Sequence, residues 1–255
     1  MTRLTRKVVV VTGASRGLGF RICEAALAEG ARVAMLARDA EVVTKAASRL
    51  AGTADGADGM ILPLSCDVGD PAAVAAAFDR IGSVWGGADV LVNNAAVGQL
   101  ISVETAPVEQ MESELRINLL GPLLCARAVI PLLRGRGGGD IVNVSSESVR
   151  RPYPLLGLYA AAKSALETFS AALRTELRAD GIRVMVLRPG RMGESGFNRG
   201  WSPEGMARYR QLVAAGGFHA ESGEPVPPAL VAKSLLDALC LPRAVAVDLL
   251  EVRPS

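Results

Sequence analysis

Histidine is almost missing from this sequence, and lysine is scarce. His219 is the only histidine, and the four cysteines, Cys23, Cys66, Cys125 and Cys240, stand far apart with no Cys-x-x-Cys pair. Ligands so few and so spread exclude a metal centre or a disulfide framework as the expected organising device. Four lysines against 24 arginines, at a net charge of +2, leave no basic field of the kind that binds nucleic acid. The 255 residues hold no Pro/Gly/Ser linker, no internal repeat and no apolar run expected to span a membrane. Met1 to Arg6 is basic, but the apolar run behind it, Val8 to Val11, is too short for a secretion signal. These absences predict a soluble cytoplasmic protein whose partner is a small molecule, with neither nucleic acid nor membrane.

What is present is a regular alternation of strand and helix signals. Lys7 to Thr12 is a β-branched run of the kind buried on both faces, and Gly13-Ala14-Ser15-Arg16-Gly17-Leu18-Gly19 turns it into a helical pattern reaching Glu29. Glycines at such a turn let backbone N–H groups approach a phosphate at a helix N-terminus, where the partial positive charge favours an anion. Further strands are expected at Arg32 to Ala37, Met60 to Ser65, Asp89 to Asn93, Asp140 to Val144, Ile182 to Leu187 and Val245 to Val252. Helices are expected over Pro71 to Ile81, Pro107 to Leu133, Leu155 to Arg178 and Pro228 to Leu241. The pattern predicts one α/β domain over residues 1–255, a doubly wound Rossmann domain with a mostly parallel sheet of about seven strands.

The strand ends carry the polar residues. After the second strand, Ala37 and Arg38 offer a small residue and a cation where a carboxylate would suit ribose hydroxyls, and Arg16 in the glycine loop offers a second cation; NADP(H) is therefore expected over NAD(H). Asp39 either caps the next helix or reaches the ribose. Asp67 accepts from adenine or caps its own loop. Asn93 and Asn94 are expected to pin neighbouring strands while flanking a ligand. Asn118, an amide among apolar residues, is either a satisfied core group or the holder of a water. Tyr159 and Lys163 lie four apart on one helical face, where a cation lowers the pKa of a phenol and makes it a usable acid. From 191 to 224 strand signals lapse, and the mixture of glycine with Phe197, Trp201, Tyr209 and Phe218 predicts a substrate lid, the alternative being a surface excursion.

Taken together, Thr12-Gly-x-x-x-Gly17-x-Gly19, Asn93-Asn94-Ala95, Asn118, Ser146 and Tyr159-x-x-x-Lys163 resemble the short-chain dehydrogenase/reductase family, in its shorter branch. The resemblance spans nearly the whole chain and implies hydride transfer between a nicotinamide and a carbonyl or alcohol carbon. It assigns Tyr159 as proton donor, Ser146 as a donor to the reacting oxygen, Lys163 to the nicotinamide ribose and Asn118 to a relay water. It prefers Ser146 over Ser145, because the family places this serine thirteen positions before the tyrosine. It maps Gly13, Gly17, Leu18 and Gly19 to the pyrophosphate loop, and Ser15, Arg16 and Arg38 to the 2′-phosphate. Asp67 falls to adenine, Asn94 to the adenosine ribose region, and Met192, after Pro189-Gly190, to the nicotinamide, with Val68, Pro189 and Gly190 also among the cofactor-binding residues. Ala96 stands where the family has glycine, and Glu194 with Ser195 where it often has a threonine that contacts the carboxamide. A homotetramer or dimer is implied. Within this reading 3-oxoacyl-carrier-protein reduction and NAD-dependent alcohol oxidation are alternatives; outside it stand a catalytically silent dinucleotide sensor or scaffold and a nucleotide-sugar epimerase.

Overall fold

Every residue of the first strand, β1 (Val8–Thr12), is buried, and its valines serve opposite faces of the sheet in turn. Val9 and Val11 join the apolar cluster on one face, Val8 and Val10 that on the other. Period-2 alternation with no polar partner face is what a strand covered on both sides requires, each fully buried valine contributing roughly 1.5–3 kcal/mol. The computed structural model describes residues 3–53, 57, 59–193, 196–216 and 224–255.

Along these residues β1 is followed by α1 (Gly17–Ala28), β2 (Arg32–Ala37), α2 (Ala40–Ala51), β3 (Ile61–Ser65), α3 (Pro71–Trp85) and β4 (Val90–Asn93). The second half runs α4 (Val108–Leu115), α5 (Gly121–Arg134), β5 (Gly139–Val144), α6 (Gly157–Glu176), β6 (Ile182–Pro189), α7 (Pro203–Ala215), α8 (Pro228–Leu239) and β7 (Leu249–Val252). All strands pair in parallel, in the order β3-β2-β1-β4-β5-β6-β7. The first face is covered by α1, α2 and α8, the second by α3, α5 and α6. This is the expected doubly wound Rossmann domain. The order reverses at β1, so the loops after β1 and β4 diverge and leave a crevice at the carboxyl edge of the sheet.

Three elements differ from the expectation. The last strand is shorter, because Val245 N–H donates to the Pro242 carbonyl and closes a turn where the strand was expected to begin. The segment after β6 holds a 13-residue helix, α7, whose start is signalled by Ser202-Pro203-Glu204: Ser202 Oγ accepts from Gly205 N–H at 3.0 Å. Helices α4 and α5 join through a π-helical turn, Arg116–Leu120, into one 27-residue helix. By length and apolar composition that helix meets the requirement for a membrane span, contrary to the expectation that no run would. Within the fold, Cys125, Val129 and Leu133 on its inner face are fully buried in the second cluster, as in a core helix.

The excursion beyond β6 is pinned at its base. Val226 N–H donates to the Arg191 carbonyl and Gly193 N–H to the Val226 carbonyl, forming a parallel bridge between Met192 and Val226. Glu194, Ser195, Phe218 and His219 lie outside the described residues.

Candidate active site

At the carboxyl edge of the sheet lies a cleft of about 1080 Å³, at the upper end of the range of small-molecule sites and roomy enough for a dinucleotide with a second molecule beside it. It runs from the loop after β1, past the ends of β2 and β3, to the ends of β4, β5 and β6 and the start of α6. Ser15, Arg16, Leu18, Arg38, Asp67, Val68 and Asn94 line one half, and Ser146, Tyr159, Lys163, Pro189, Gly190 and Met192 the other, with Gly13 at the turn. Of the expected site residues, Gly17, Gly19 and Asn118 do not line it.

The dinucleotide half is built from backbone. Gly13 has φ +64, and a Cβ there would come within 2.8 Å of Ala95 Cα on the neighbouring loop. Gly19 lets α1 close down on the Gly13 carbonyl. Arg16 stands at the N-cap of α1 without any side chain capping the helix, and the first turn carries no acidic residue. Among the described residues no side chain caps the start of α1, which fits a phosphate at that end. Asp39 is spent otherwise: its Oδ1 accepts from Val42 N–H at 3.0 Å as the cap of α2. Asp39 still lines the cleft, where Arg38 and Arg16 are the cations beside the end of β2; two cations there suit a nucleotide bearing an extra phosphate. Asp67 Oδ1 accepts from Gly69 N–H at 2.9 Å, closing its own loop. Asn94 pins strands as expected, its Nδ2 donating to the carbonyls of Thr12 (2.9 Å) and Gly13 (3.3 Å).

The other half places a phenol, a hydroxyl and an ammonium together. Ser146 stands close enough to the Tyr159 phenol to pull its pKa down, and its Oγ accepts from Ser148 N–H at 3.2 Å. Neighbouring Ser145 instead donates to Glu167 Oε1 at 2.5 Å, and Glu167 pairs with Arg188 at 2.6 Å. That structural tie separates the two serines, which sequence spacing alone separated only through the resemblance. Lys163 is fully buried, donates to the Val144 carbonyl at 2.8 Å and stands 5.7 Å from the Tyr159 ring centroid.

Burial sets the electrostatics. It pushes Tyr159 up to about 12; Ser146 pulls down, while Glu114 and Glu147 add to the rise. Lys163 is pushed down to about 8, also by burial. The expectation that the ammonium lowers the phenol is therefore not met by the chain alone: desolvation raises it, and what opposes the rise is Ser146.

Asn118 sits on the π-helical turn with both polar atoms of its amide bonded to Val97, Oδ1 accepting from Val97 N–H (3.1 Å) and Nδ2 donating to the Val97 carbonyl (2.7 Å). This is the satisfied-core arrangement, and it fixes the loop after β4 along the cleft. One residue that sequence reasoning passed over is Glu114, buried one turn before Asn118. It accepts from Gln99 N–H at 3.3 Å, and burial pushes it up to about 7. A second is Tyr153, whose ring stands 6.4 Å from that of Tyr209 at the cleft's outer wall. A charged residue three helical positions from an apolar Ile117 gives no periodic signal that it is buried.

Residues 7–204 match the family model for short chain dehydrogenases. The chain belongs to the short-chain dehydrogenase/reductase family. Among relatives of this dehydrogenase, a D-threitol dehydrogenase of Mycolicibacterium smegmatis is 34% identical over 217 residues, covering 85% of this chain and 82% of that protein. A galactitol 2-dehydrogenase of Agrobacterium fabrum is 33% identical over 189 residues, 74% of this chain and 71% of the other. Among solved structures, a metagenomic short-chain oxidoreductase in complex with NADP superposes with a TM-score of 0.80 at 26% identity over 99% of each chain. The 3-ketoacyl-(acyl-carrier-protein) reductase of Brucella melitensis, complexed with NADH, gives 0.81 at 27% identity over 98% of each. The family membership makes the protein an oxidoreductase acting on CH–OH or C=O groups of small molecules.

Proposed function

We propose that this short-chain dehydrogenase transfers a hydride between NADP(H) and a carbonyl or secondary alcohol carbon, with Tyr159 as general acid/base. The observation that carries the reading is the convergence of Ser146, Tyr159 and Lys163 in one half of a cleft whose other half holds Arg16 and Arg38. In the reducing direction a hydride adds to the carbonyl carbon and Tyr159 gives its proton to the oxygen, so that C=O becomes CH–OH. Ser146 donates to the same oxygen, where negative charge develops. Lys163 has one N–H bound to Val144 and two more to give, the right number for ribose hydroxyls. A relay water, as the family resemblance assigns it, would sit at Asn118, whose amide is bonded to Val97. The nicotinamide cofactor, when bound, supplies the hydride and, once oxidised, a positive charge that favours the phenolate.

Support for NADP(H) over NAD(H) comes from Arg16 and Arg38 lining the cleft while Asp39 is engaged as a cap. Asp67 and Val68 would flank the adenine, and Pro189, Gly190 and Met192 the nicotinamide. Residues 191–224, clamped at their base and carrying α7, would be the lid. Leu115 and Leu120, each more than a third exposed on the α4–α5 helix, fit a face where a second copy docks in a homotetramer or dimer. We place the protein in the cytoplasm, acting without nucleic acid or membrane.

The test is oxidation of NADPH, with NADH in parallel, across ketones, aldehydes, 3-oxoacyl thioesters and, in reverse, polyols. Turnover with NADPH at higher kcat/KM than with NADH is expected. Binding of NADPH without turnover of any substrate would favour the silent sensor.

A further inference from the structure

Aromatic residues make up only 4% of this chain, yet all three tyrosines line the cleft, joined there by Phe197 and Trp201. They form a continuous file that begins at the catalytic phenol. Tyr159 and Phe197 have ring centroids 4.9 Å apart, Phe197 and Trp201 5.8 Å, Trp201 and Tyr209 5.8 Å, and Tyr209 and Tyr153 6.4 Å. Separations and tilts of this kind are those of attractive aromatic pairs.

The file is built into the fold. Trp201 spends its indole N–H on the Gly98 carbonyl at 2.7 Å, so the indole has only its faces and edges left to offer. Gly98 also has no side chain where the Phe197 ring lies; a Cβ there would collide with that ring. One glycine of the loop after β4 thus seats two rings of the segment after β6. Leu156 and Val213 continue the apolar wall.

We propose that this half of the cleft selects carbonyl compounds, or the matching alcohols, that carry an apolar ring system next to the reacting carbon. The proposal rests on the oxidoreductase reading above. A polyol would set hydroxyls against the ring faces of the file, and each hydroxyl left unmatched there costs roughly 1–3 kcal/mol. An apolar ring of the substrate instead extends the file by one member. Aromatic walls also attract quaternary ammonium groups. Here, however, Arg191 and Arg199 line the same half against the single carboxylate of Glu147 among the described residues, which disfavours a cation.

The experiment compares kcat/KM for 1-phenylpropan-2-one, butan-2-one, erythrulose and betaine aldehyde with the wild-type protein and NADPH, and with Trp201→Ala and Gly98→Ala. Expected is a preference of about 100-fold or more for phenylpropanone over butanone and over erythrulose, the ratio to butanone falling at least tenfold in both variants. Titration of the NADP-loaded protein with 2-naphthol, a ring without a carbonyl, should quench tryptophan emission in the wild type and far less in Trp201→Phe. Equal or higher kcat/KM for butanone, erythrulose or betaine aldehyde, with no naphthol quenching, overturns the substrate class and leaves the oxidoreductase reading standing. Failure of every carbonyl with NADPH, and with NADH run in parallel, overturns that reading and the proposal with it.

Discussion

The Lys163 ammonium donates to the carbonyl of Val144 at 2.8 Å, tying the helix that carries Tyr159 to the end of the strand that leads into Ser146. One buried hydrogen bond thereby sets the distance between the hydroxyl and the phenol. It also holds a charge in an apolar place. An unfolded lysine titrates near 10.5 and this one near 8, so the folded state gives up its proton first. Below pH 8 the charged lysine costs stability, and that cost is lifted as pH rises from 8 towards 10.5. At ~1.4 kcal/mol per pKa unit, wild type should gain about 2–3 kcal/mol relative to Lys163→Met between pH 7.5 and 10. Urea unfolding across that range measures it; a constant difference would contradict the buried-charge account.

Asn118 is the clamp of the loop after β4. Asn118→Ala should lower stability by about 2–4 kcal/mol, because it orphans both the N–H and the carbonyl of Val97. Turnover should fall with it, as Val97 and Gln99 line the cleft. Thermal unfolding and kcat/KM are read together: lost turnover at unchanged stability would show that the side chain acts on a water instead.

Arg38→Asp should weaken NADPH at least tenfold more than NADH if Arg38 takes the proposed place beside the 2′-phosphate, where the substitution puts a repelling charge. Nucleotide fluorescence titration gives both Kd values. Equal losses would show that Arg38 does not read the 2′-phosphate.

Glu114 raises the pKa of Tyr159 and is itself pushed up from 4.5 to about 7. A carboxyl raised in the folded state adds stability below pH 4.5 that is lost as pH climbs through 7. Glu114→Gln keeps an acceptor for Gln99 N–H and removes the charge. Relative to the variant, wild type should lose about 3 kcal/mol between pH 4.5 and 7.5. The rising limb of kcat/KM for alcohol oxidation should move to lower pH in the variant, because the phenol then ionises more readily. A limb that stays in place would separate Glu114 from Tyr159.

The fold was legible because its strands are apolar on both faces and its helices begin at plain signals, such as Pro71 and Pro228. The cleft was legible because its residues sit at strand ends, where Arg38, Asn94, Ser146 and Gly190 stand out against apolar runs. What stayed hidden depends on three-dimensional burial. Tyr159 and Lys163 share a helical face, but only the packed structure reveals that desolvation dominates both. Asn118 and Asp39 had two readings each in sequence, and their hydrogen bonds to Val97 and Val42 display the structural role of each. The aromatic file joins residues from 153 to 209 whose spacing follows no helical or strand period, so no pattern along the chain announces it.

The central claim is that the Tyr159 phenol moves the proton. Single-turnover reduction of phenylpropanone, butanone and a 3-oxoacyl thioester by Tyr159→Phe, alongside NADPH titration of the same variant, tests it most directly. The account predicts a loss of at least about 1000-fold in the hydride-transfer rate with each carbonyl that the wild type reduces, and an NADPH Kd within threefold of wild type. Reduction within tenfold of the wild-type rate would contradict it.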